Sequence, residues 1–373
     1  MTDAAVSILA PDMPGRTPLI IGVVGAGTMG AGIAQVCIQA GHEVLLYDID
    51  EAAIGRGRAR IRDGLARLTA KGTIGVERAA AMEAGVRDAH ALAALAEEAD
   101  LVIEAALEQL ELKSTIFQAL DAGTQPDVLL ATNTSALSVT TIADAAPRHP
   151  ERVLGLHFFN PAPLMPLVEV ASGERTSAAA IARGVAFVEG LGKTAVVCRD
   201  APGFIVNRVN RPFTLEALRM LEDGSGSVEA IDRAIRSAGY PMGPFELMDL
   251  VGVDVNLAVA RSLYAAFDEA ERFRPSAIQE DLVNGERFGR KSGEGFYRYD
   301  GGQRGAVAVE LERVVAVEPL SDEEIVRRVE LPIINEAYHA VGEQVAQPPD
   351  IDRAMKLGAN HPHGPFERAG QLG

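Results

Sequence analysis

Apolar residues fall in two rhythms along this chain. In the first half, short apolar runs alternate with longer stretches of helical spacing. Leu19–Val24 is the first run, and it ends on the segment Gly25-Ala26-Gly27-Thr28-Met29-Gly30. Ala31–Ala40 then carries helical spacing and stops at Gly41, and Glu43–Tyr47 is a second short run that ends before Asp48. A long helical stretch follows over about 51–71, and further runs recur at Leu101–Glu104, Val128–Ala131, Val153–Leu156 and Ala195–Cys198. Strands that alternate with helices build a parallel sheet covered on both faces. The pattern predicts an α/β, Rossmann-like doubly wound domain over 19–200.

The rhythm changes at Asp200-Ala201-Pro202-Gly203. From Phe204 onward the spacing is helical with almost no strand signal, so 201–300 reads as an all-α C-terminal domain. It closes on the turn Phe288-Gly289-Arg290-Lys291-Ser292-Gly293. Residues 301–320 contain Gly-Gly and no clear helix, and read as a connector. An internal repeat follows. Ile205-Val206-Asn207-Arg208 aligns with Ile325-Val326-Arg327-Arg328, and Ile231-Asp232-Arg233-Ala234 with Ile351-Asp352-Arg353-Ala354, at the same offset of 120. Gly243-Pro244-Phe245-Glu246 matches Gly364-Pro365-Phe366-Glu367 one residue later. Three matched blocks in one order mark 321–373 as a partial second copy of the helical unit.

Composition changes this picture little. The 373 residues, 47% hydrophobic and 23% charged, are ordinary for a soluble globular protein. The length fits two or three domains with cores of their own. A net charge of −17 repels phosphate backbones and argues against nucleic acid as a partner. Cys37 and Cys198 sit in apolar surroundings, nothing has metal-ligand spacing, and a reduced, cytoplasmic location is expected. Residues 1–18 read as a loose tail without the basic start and apolar run of a secretory signal. No apolar run reaches membrane-spanning length.

The glycine segment follows a strand, opens a helix and has Asp48 placed 23 residues after Gly25. Those contexts turn a weak motif into a dinucleotide fingerprint. Gly25 permits the tight turn, Gly27 lets the backbone approach the pyrophosphate, and Gly30 lets helix and sheet pack closely. The helix start, with Thr28 and Met29, offers free N–H groups to the phosphates. Asp48 is placed to accept from the ribose hydroxyls. Asp50 and Glu51 stand beside it, with no nearby arginine to receive a 2′-phosphate, so NAD is favoured over NADP.

Several segments together resemble the L-3-hydroxyacyl-CoA dehydrogenase family. They are GAGTMGAGIAQ (25–35), VIEAALEQLELK (102–113), ATNTSALSVT (131–140), HFFNPAPLMPLVEV (157–170), APGFIVNR (201–208) and GRKSGEGFYRY (289–299). The resemblance covers roughly 19–300. It implies NAD-dependent oxidation of an L-3-hydroxyacyl-CoA to the 3-ketoacyl-CoA, within fatty acid metabolism and β-oxidation.

The residues bear on that chemistry directly. Oxidising a secondary alcohol needs a base for the hydroxyl proton and donors for the developing carbonyl oxygen. His157 ends a predicted strand, on the side where open α/β sheets bind ligands. Glu169 lies in an apolar Leu-Val-Glu-Val stretch, where a carboxylate needs a partner, and His157 suits that need. The resemblance assigns the same catalytic pair. Ser135 follows the 128–131 strand; its hydroxyl is placed to bond the substrate oxygen, or it caps a helix. Asn207 lies just inside the first helix of the second domain, where asparagine has poor propensity. The resemblance puts it near the substrate carbonyl; the residues alone equally allow a polar contact at the domain junction.

Glu108 and Lys113 match cofactor contacts of the family, although as a bare pair they also fit a solvated helix face. Asn160 and Lys291 match further contacts near the nicotinamide end, so domain closure is expected to complete the site. Arg56, Arg60, Arg67 and Lys71 share one helical face, with Arg58 and Arg62 close by. That face fits the phosphates of coenzyme A, or plain solvation. The resemblance implies a CoA-contacting lysine at Lys71; Arg67 on the same face and Ser135 are expected to join it at the substrate. Gly64 stands where the family has a serine.

Arg327, the repeat's counterpart of Asn207, has no preceding Pro-Gly, and there is no second dinucleotide motif. One active site per chain is therefore expected. The second copy is expected to occupy the surface through which family dimers pack. That leaves a homodimer, or a monomer with an internal pseudo-dimer of helical domains. Two other functions stay open: a dehydrogenase of a free hydroxy acid or sugar acid such as gulonate, and a non-catalytic NAD-binding protein.

Overall fold

The computed structural model describes residues 18–308 and 318–372. The predicted tail over 1–18 therefore lies, except for Pro18, outside the described residues, as does 309–317 of the predicted connector. The chain divides into two compact units, Met1–Ala201 and Pro202–Gly373.

The first unit runs β1 (Ile20–Val24), α1 (Thr28–Gln39), β2 (Glu43–Tyr47), α2 (Glu51–Ala70), α3 (Val76–Ala84), β3 (Val86–Asp88), α4 (Leu92–Glu98) and β4 (Leu101–Glu104). It continues with α5 (Leu110–Gly123), β5 (Leu129–Thr132), α6 (Val139–Asp144), β6 (Val153–Phe158), β7 (Leu167–Ser172), α7 (Ala178–Gly190) and β8 (Thr194–Arg199). One eight-stranded sheet has the order β3-β2-β1-β4-β5-β6-β7-β8. The alternation of side chains along each strand feeds two cores. Ile21, Val23, Leu101, Ile103, Leu129 and Ala131 enter one, while Val24, Val102 and Leu130 enter the other. Both faces are covered by helices, which is why these strands read as unbroken apolar runs.

The expectation of a parallel sheet holds from β3 to β6 and fails at β7. Strand β7 runs antiparallel to β6, and β8 runs parallel to β7. The physical reason is the connection over 159–166, which is too short for the crossover of a dozen or more residues that a parallel return needs. The register sets His157 directly opposite Glu169.

The second unit holds α8 (Val206–Val209), α9 (Arg211–Glu222), α10 (Val228–Ser237), α11 (Pro244–Val251), α12 (Val253–Ala266) and α13 (Ala277–Asn284). Then come the hairpin β9 (Tyr297–Asp300) and β10 (Gln303–Val307), followed by α14 (Asp322–Gly342), α15 (Pro348–Gly358) and α16 (Pro365–Leu372). The hairpin corrects two sequence expectations: 201–300 is not wholly helical, and 301–320 is not only a connector. Its signal is weak because Gly301-Gly302 forms the turn and most of β10 is exposed.

The repeat is built in the same way twice. Asp232 accepts from the backbone N–H of Phe245 at 3.0 Å, and Asp352 from that of Phe366 at 2.8 Å. Glu246 accepts from Gly243 N, and Glu367 from Gly364 N, both at 3.0 Å. Packing of α9 against α14 relates the two copies. Arg208 of the first copy reaches Glu336 at 2.6 Å and Glu343 at 2.7 Å in the second. Its counterpart Arg328 reaches back to Asp223 at 2.6 Å and Glu216 at 3.8 Å. Each contact is answered by its exchange partner, the signature of a two-fold interface, here within one chain.

Candidate active site

The turn after β1 is drawn tight by its glycines. Gly25 has φ of 102° and donates its N–H to Tyr47 O at 2.7 Å. A Cβ on Gly30 would lie 1.7 Å from Gly25 O, so only glycine lets α1 start this close to β1. Gly27 caps α1 without any side-chain hydrogen bond, and a Cβ there would meet nothing within 4 Å. An uncapped helix start facing open space suits a pyrophosphate, since its N–H groups are unsatisfied and the helix dipole favours an anion. Thr28 and Met29 open that helix. Asp48 fixes the loop by accepting from Ala26 N at 2.8 Å and Asp50 N at 3.1 Å. One expectation needs correction here: an arginine does stand nearby. Arg56 lies 2.9 Å from Asp50, whose carboxyl it helps to hold below the usual range, so this guanidinium already has an anion.

At the end of β4, Glu104 is fully buried and accepts from Lys113 Nζ at 2.7 Å, Thr132 Oγ1 at 2.7 Å and Ala106 N at 2.7 Å. Lys113 is 1% exposed, which rules out the solvated-face reading for it. Its ammonium also lies 3.4 Å from Glu108. Glu108 Oε1 accepts from Thr134 Oγ1 at 2.7 Å, Ser135 N at 2.8 Å and Ala136 N at 3.0 Å. Burial works against the Glu108 anion, but Lys113 and these donors outweigh it and hold its carboxyl below the usual range. Ser135 Oγ lies 3.3 Å from the same carboxylate. The helix-capping alternative for Ser135 is excluded, because Ser138 is the residue that caps α6.

His157 and Glu169 meet across β6 and β7. His157 Nδ1 is 2.6 Å from Glu169 Oε2, with His157 6% and Glu169 0% exposed. The Phe159 ring packs on the imidazole with centroids 4.5 Å apart. Asn133 accepts from Phe158 N at 2.9 Å, which ties the β5 loop to the histidine strand. Sequence reading passed over Glu104 and Asn133. An acid inside an otherwise apolar strand, nine residues before a lysine, was the signal for the first. Nothing in the sequence marked the second.

A cavity of about 610 Å³ opens between α1, α2 and the 160–164 loop. Arg60, Arg67, Lys71, Thr28 and Asn160 line it together. The basic face of α2 is thus divided. Arg58 bonds Asp88 at 2.8 Å and Arg62 bonds Glu83 at 2.9 Å, while Arg56 is held by Asp50, so these three are set apart from the cavity. Arg60, Arg67 and Lys71 form no ion pair among the described residues. Gly64 is in the cavity wall, and a Cβ on it would lie 2.1 Å from Gln35 Oε1. The Gln35 amide fills the space that a serine would need.

In the second unit, Lys291 Nζ is 2.7 Å from Asp254 Oδ2, and Asn207 lies in α8. Among the described residues no cluster of three or more His, Cys, Asp or Glu is placed to hold a metal, and no helix is long and apolar enough to cross a membrane.

The sequence profile of the 3-hydroxyacyl-CoA dehydrogenase NAD binding domain matches residues 20–201. The profile of the 3-hydroxyacyl-CoA dehydrogenase C-terminal domain matches 203–299 and again 325–373, on the two copies of the repeat. The chain is 39% identical to the 3-hydroxyadipyl-CoA dehydrogenase of Escherichia coli K12, over 95% of this chain and 90% of that protein. It is 42% identical to a 3-hydroxybutyryl-CoA dehydrogenase of Mycobacterium tuberculosis, over 75% of this chain and 98% of that one. The crystal structure of a 3-hydroxybutyryl-CoA dehydrogenase from E. coli K12 matches with a TM-score of 0.87 at 37% identity, covering 96% of this chain and 92% of the other. With the cofactor turn, the histidine–glutamate pair and both helical copies accounted for, this chain belongs to the NAD-dependent 3-hydroxyacyl-CoA dehydrogenase family.

Proposed function

We propose that the chain oxidises L-3-hydroxyacyl-CoA to 3-ketoacyl-CoA, reversibly, with His157 as general base. The observation that carries this is the short contact between His157 Nδ1 and the buried Glu169. A carboxylate there takes the Nδ1 proton as its hydrogen-bond donor and sets the tautomer with the lone pair on Nε2. Nε2 then accepts the substrate hydroxyl proton, and Glu169 stabilises the imidazolium that forms. Bound NAD supplies the acceptor for the hydride leaving the carbinol carbon. Gly25, Gly27, Thr28, Met29 and Gly30 hold its pyrophosphate, and Asp48 its ribose. Ser135 and Asn207 donate to the developing carbonyl oxygen, where fixed donors do most for such a reaction. Glu108, backed by Lys113, pins the Ser135 backbone, and Asn160 and Lys291 complete the cofactor side.

Arg67 and Lys71, with Arg60 beside them, receive the phosphates of coenzyme A. The cavity favours this over a free hydroxy acid, which needs no basic site there. The exchanged contacts of Arg208 and Arg328 support a single-chain species in which the second copy covers the helical face. Sedimentation as a monomer tests that reading. Buried thiols without a disulfide at Cys37 and Cys198 fit a reducing, cytoplasmic compartment. The activity is tested by following NADH formation with 3-hydroxybutyryl-CoA, free 3-hydroxybutyrate and gulonate side by side. Turnover of the CoA ester alone is the expected result. Faster turnover of either free acid overturns the substrate assignment.

A further inference from the structure

Gln35 is a polar residue on the buried face of α1, among Ala31, Ala34 and Ile38. It is 6% exposed, and no hydrogen bond reaches its carboxamide among the described residues. A buried amide without partners is costly, because both its donor and its acceptor have left water. What exposure it keeps opens on the 610 Å³ cavity, whose wall it shares with Gly64. Gly64 makes room for it. A Cβ at that position would lie 2.1 Å from Gln35 Oε1 and 2.9 Å from Nε2.

The contacts of α1 with α2 give the cavity a direction. A Cβ on Gly57 would lie 2.8 Å from Ala26 O in the glycine turn, whereas Gly64 faces Gln35, so the two helices run side by side in the same sense. Lys71 caps α2 seven residues later, about 10 Å further from the turn. At the turn end, the loop that follows His157 lies over the first turns of α1, since a Cβ on Gly32 would lie 3.2 Å from Ala162 Cβ. Thr28, Asn160, Gln35 and Lys71 all line this one cavity. The order along it is therefore the reacting end, then the neutral amide of Gln35, then the ammonium of Lys71. The charged lining residues Arg60, Asp63, Arg67 and Lys71 all belong to α2, and the α1 wall is uncharged.

An acyl-CoA has the same order. Beyond the thioester come the two secondary amides of the pantetheine arm, and beyond them the phosphates. Each amide carries one N–H donor and one carbonyl acceptor, the complement of a carboxamide in either flip state. We infer that Gln35 binds an amide of the pantetheine arm through its carboxamide, and that Gly64 keeps the space this amide needs. The inference rests on the acyl-CoA reading above and adds a recognition element between the reacting centre and the phosphate site.

The test compares kcat/KM for three thioesters of 3-hydroxybutyrate: the CoA ester, the pantetheine ester and the S-ethyl ester. The last has neither amides nor phosphates. Gln35→Met keeps the shape of the side chain and removes its donor and acceptor. It is expected to lower the constants for the CoA and pantetheine esters about tenfold relative to the S-ethyl ester, mainly through KM, the scale of one or two neutral hydrogen bonds. Gly64→Ala drives the flexible end of Gln35 aside with the glutamine retained, and is expected to give the same profile. Equal losses on all three esters in Gln35→Met would mark a structural role and overturn the inference. A loss confined to the CoA ester would place Gln35 at the nucleotide and overturn it, as would no loss at all, while in each case the dehydrogenase reading stands. Oxidation of none of the three esters by the native chain overturns both.

Discussion

Replacing Arg208 by methionine is expected to destabilise the helical unit far more than the same change at its repeat counterpart, Arg328. The Arg208 side chain is fully buried, donates to Glu336 Oε1 at 2.6 Å and to both oxygens of Glu343 at 2.7 and 2.8 Å, and stacks over Phe267 at 4.6 Å. Without it, Glu343 relaxes into water, since its side chain is 47% exposed. Glu336 has no such escape. Its side chain is 1% exposed, and among the described residues only Arg272, at 2.8 Å, remains to balance it. Breaking a buried pair by removing one partner costs about 3–5 kcal/mol. Arg272 keeps the cost near the lower end, about 3 kcal/mol, which for a unit of this size lowers Tm by roughly 6–12 °C. Arg328 and its partner Asp223 are 34% and 46% exposed, so their pair is worth about 1 kcal/mol or less. Urea and thermal unfolding of the two variants decide the matter. Arg208→Met combined with Glu336→Leu should recover most of the loss by removing the stranded charge. Equal losses for the two arginines, or no recovery in the double variant, would refute this accounting.

Gly27→Ala adds a methyl group where the protein has nothing within 4 Å. It is therefore expected to leave thermal stability nearly unchanged and to weaken NAD binding at least tenfold by calorimetry; unchanged affinity contradicts the pyrophosphate placement. Lys71→Ala and Arg67→Ala are each expected to raise KM for the acyl-CoA about tenfold with little change in kcat, and the difference should shrink in high salt. His361 is buried against Phe213 and Tyr240, and burial pushes its pKa down to about 3. The folded state thus binds fewer protons than the unfolded state between pH ~6.5 and ~3, and stability falls as pH drops through that window, at up to about 1.4 kcal/mol per pH unit. His361→Gln should remove that part of the slope, as urea titrations at pH 7, 6 and 5 would show.

The cofactor half of the site was legible because its constraints are local. Gly25, Gly30 and Asp48 each answer to a neighbour within one β-α-β unit, so spacing alone announces them. The repeat was legible because self-similarity needs no three-dimensional information. His157 and Glu169 were legible as residue types, but their meeting depends on the direction of β7, which the short 159–166 connection determines and apolar periodicity does not. The basic face of α2 shows the limit of helical spacing. Arg56, Arg60, Arg67 and Lys71 share a face on paper, yet Asp50 at the start of the helix captures the first of them.

The central claim is that His157, held by Glu169, takes the substrate proton. Single-turnover NADH formation from 3-hydroxybutyryl-CoA by His157→Gln, at saturating cofactor and substrate, tests it most directly. General-base catalysis by this residue predicts a rate about 10²–10⁴ times below that of the native chain, with NAD affinity retained. A rate within a few-fold of the native one would contradict it.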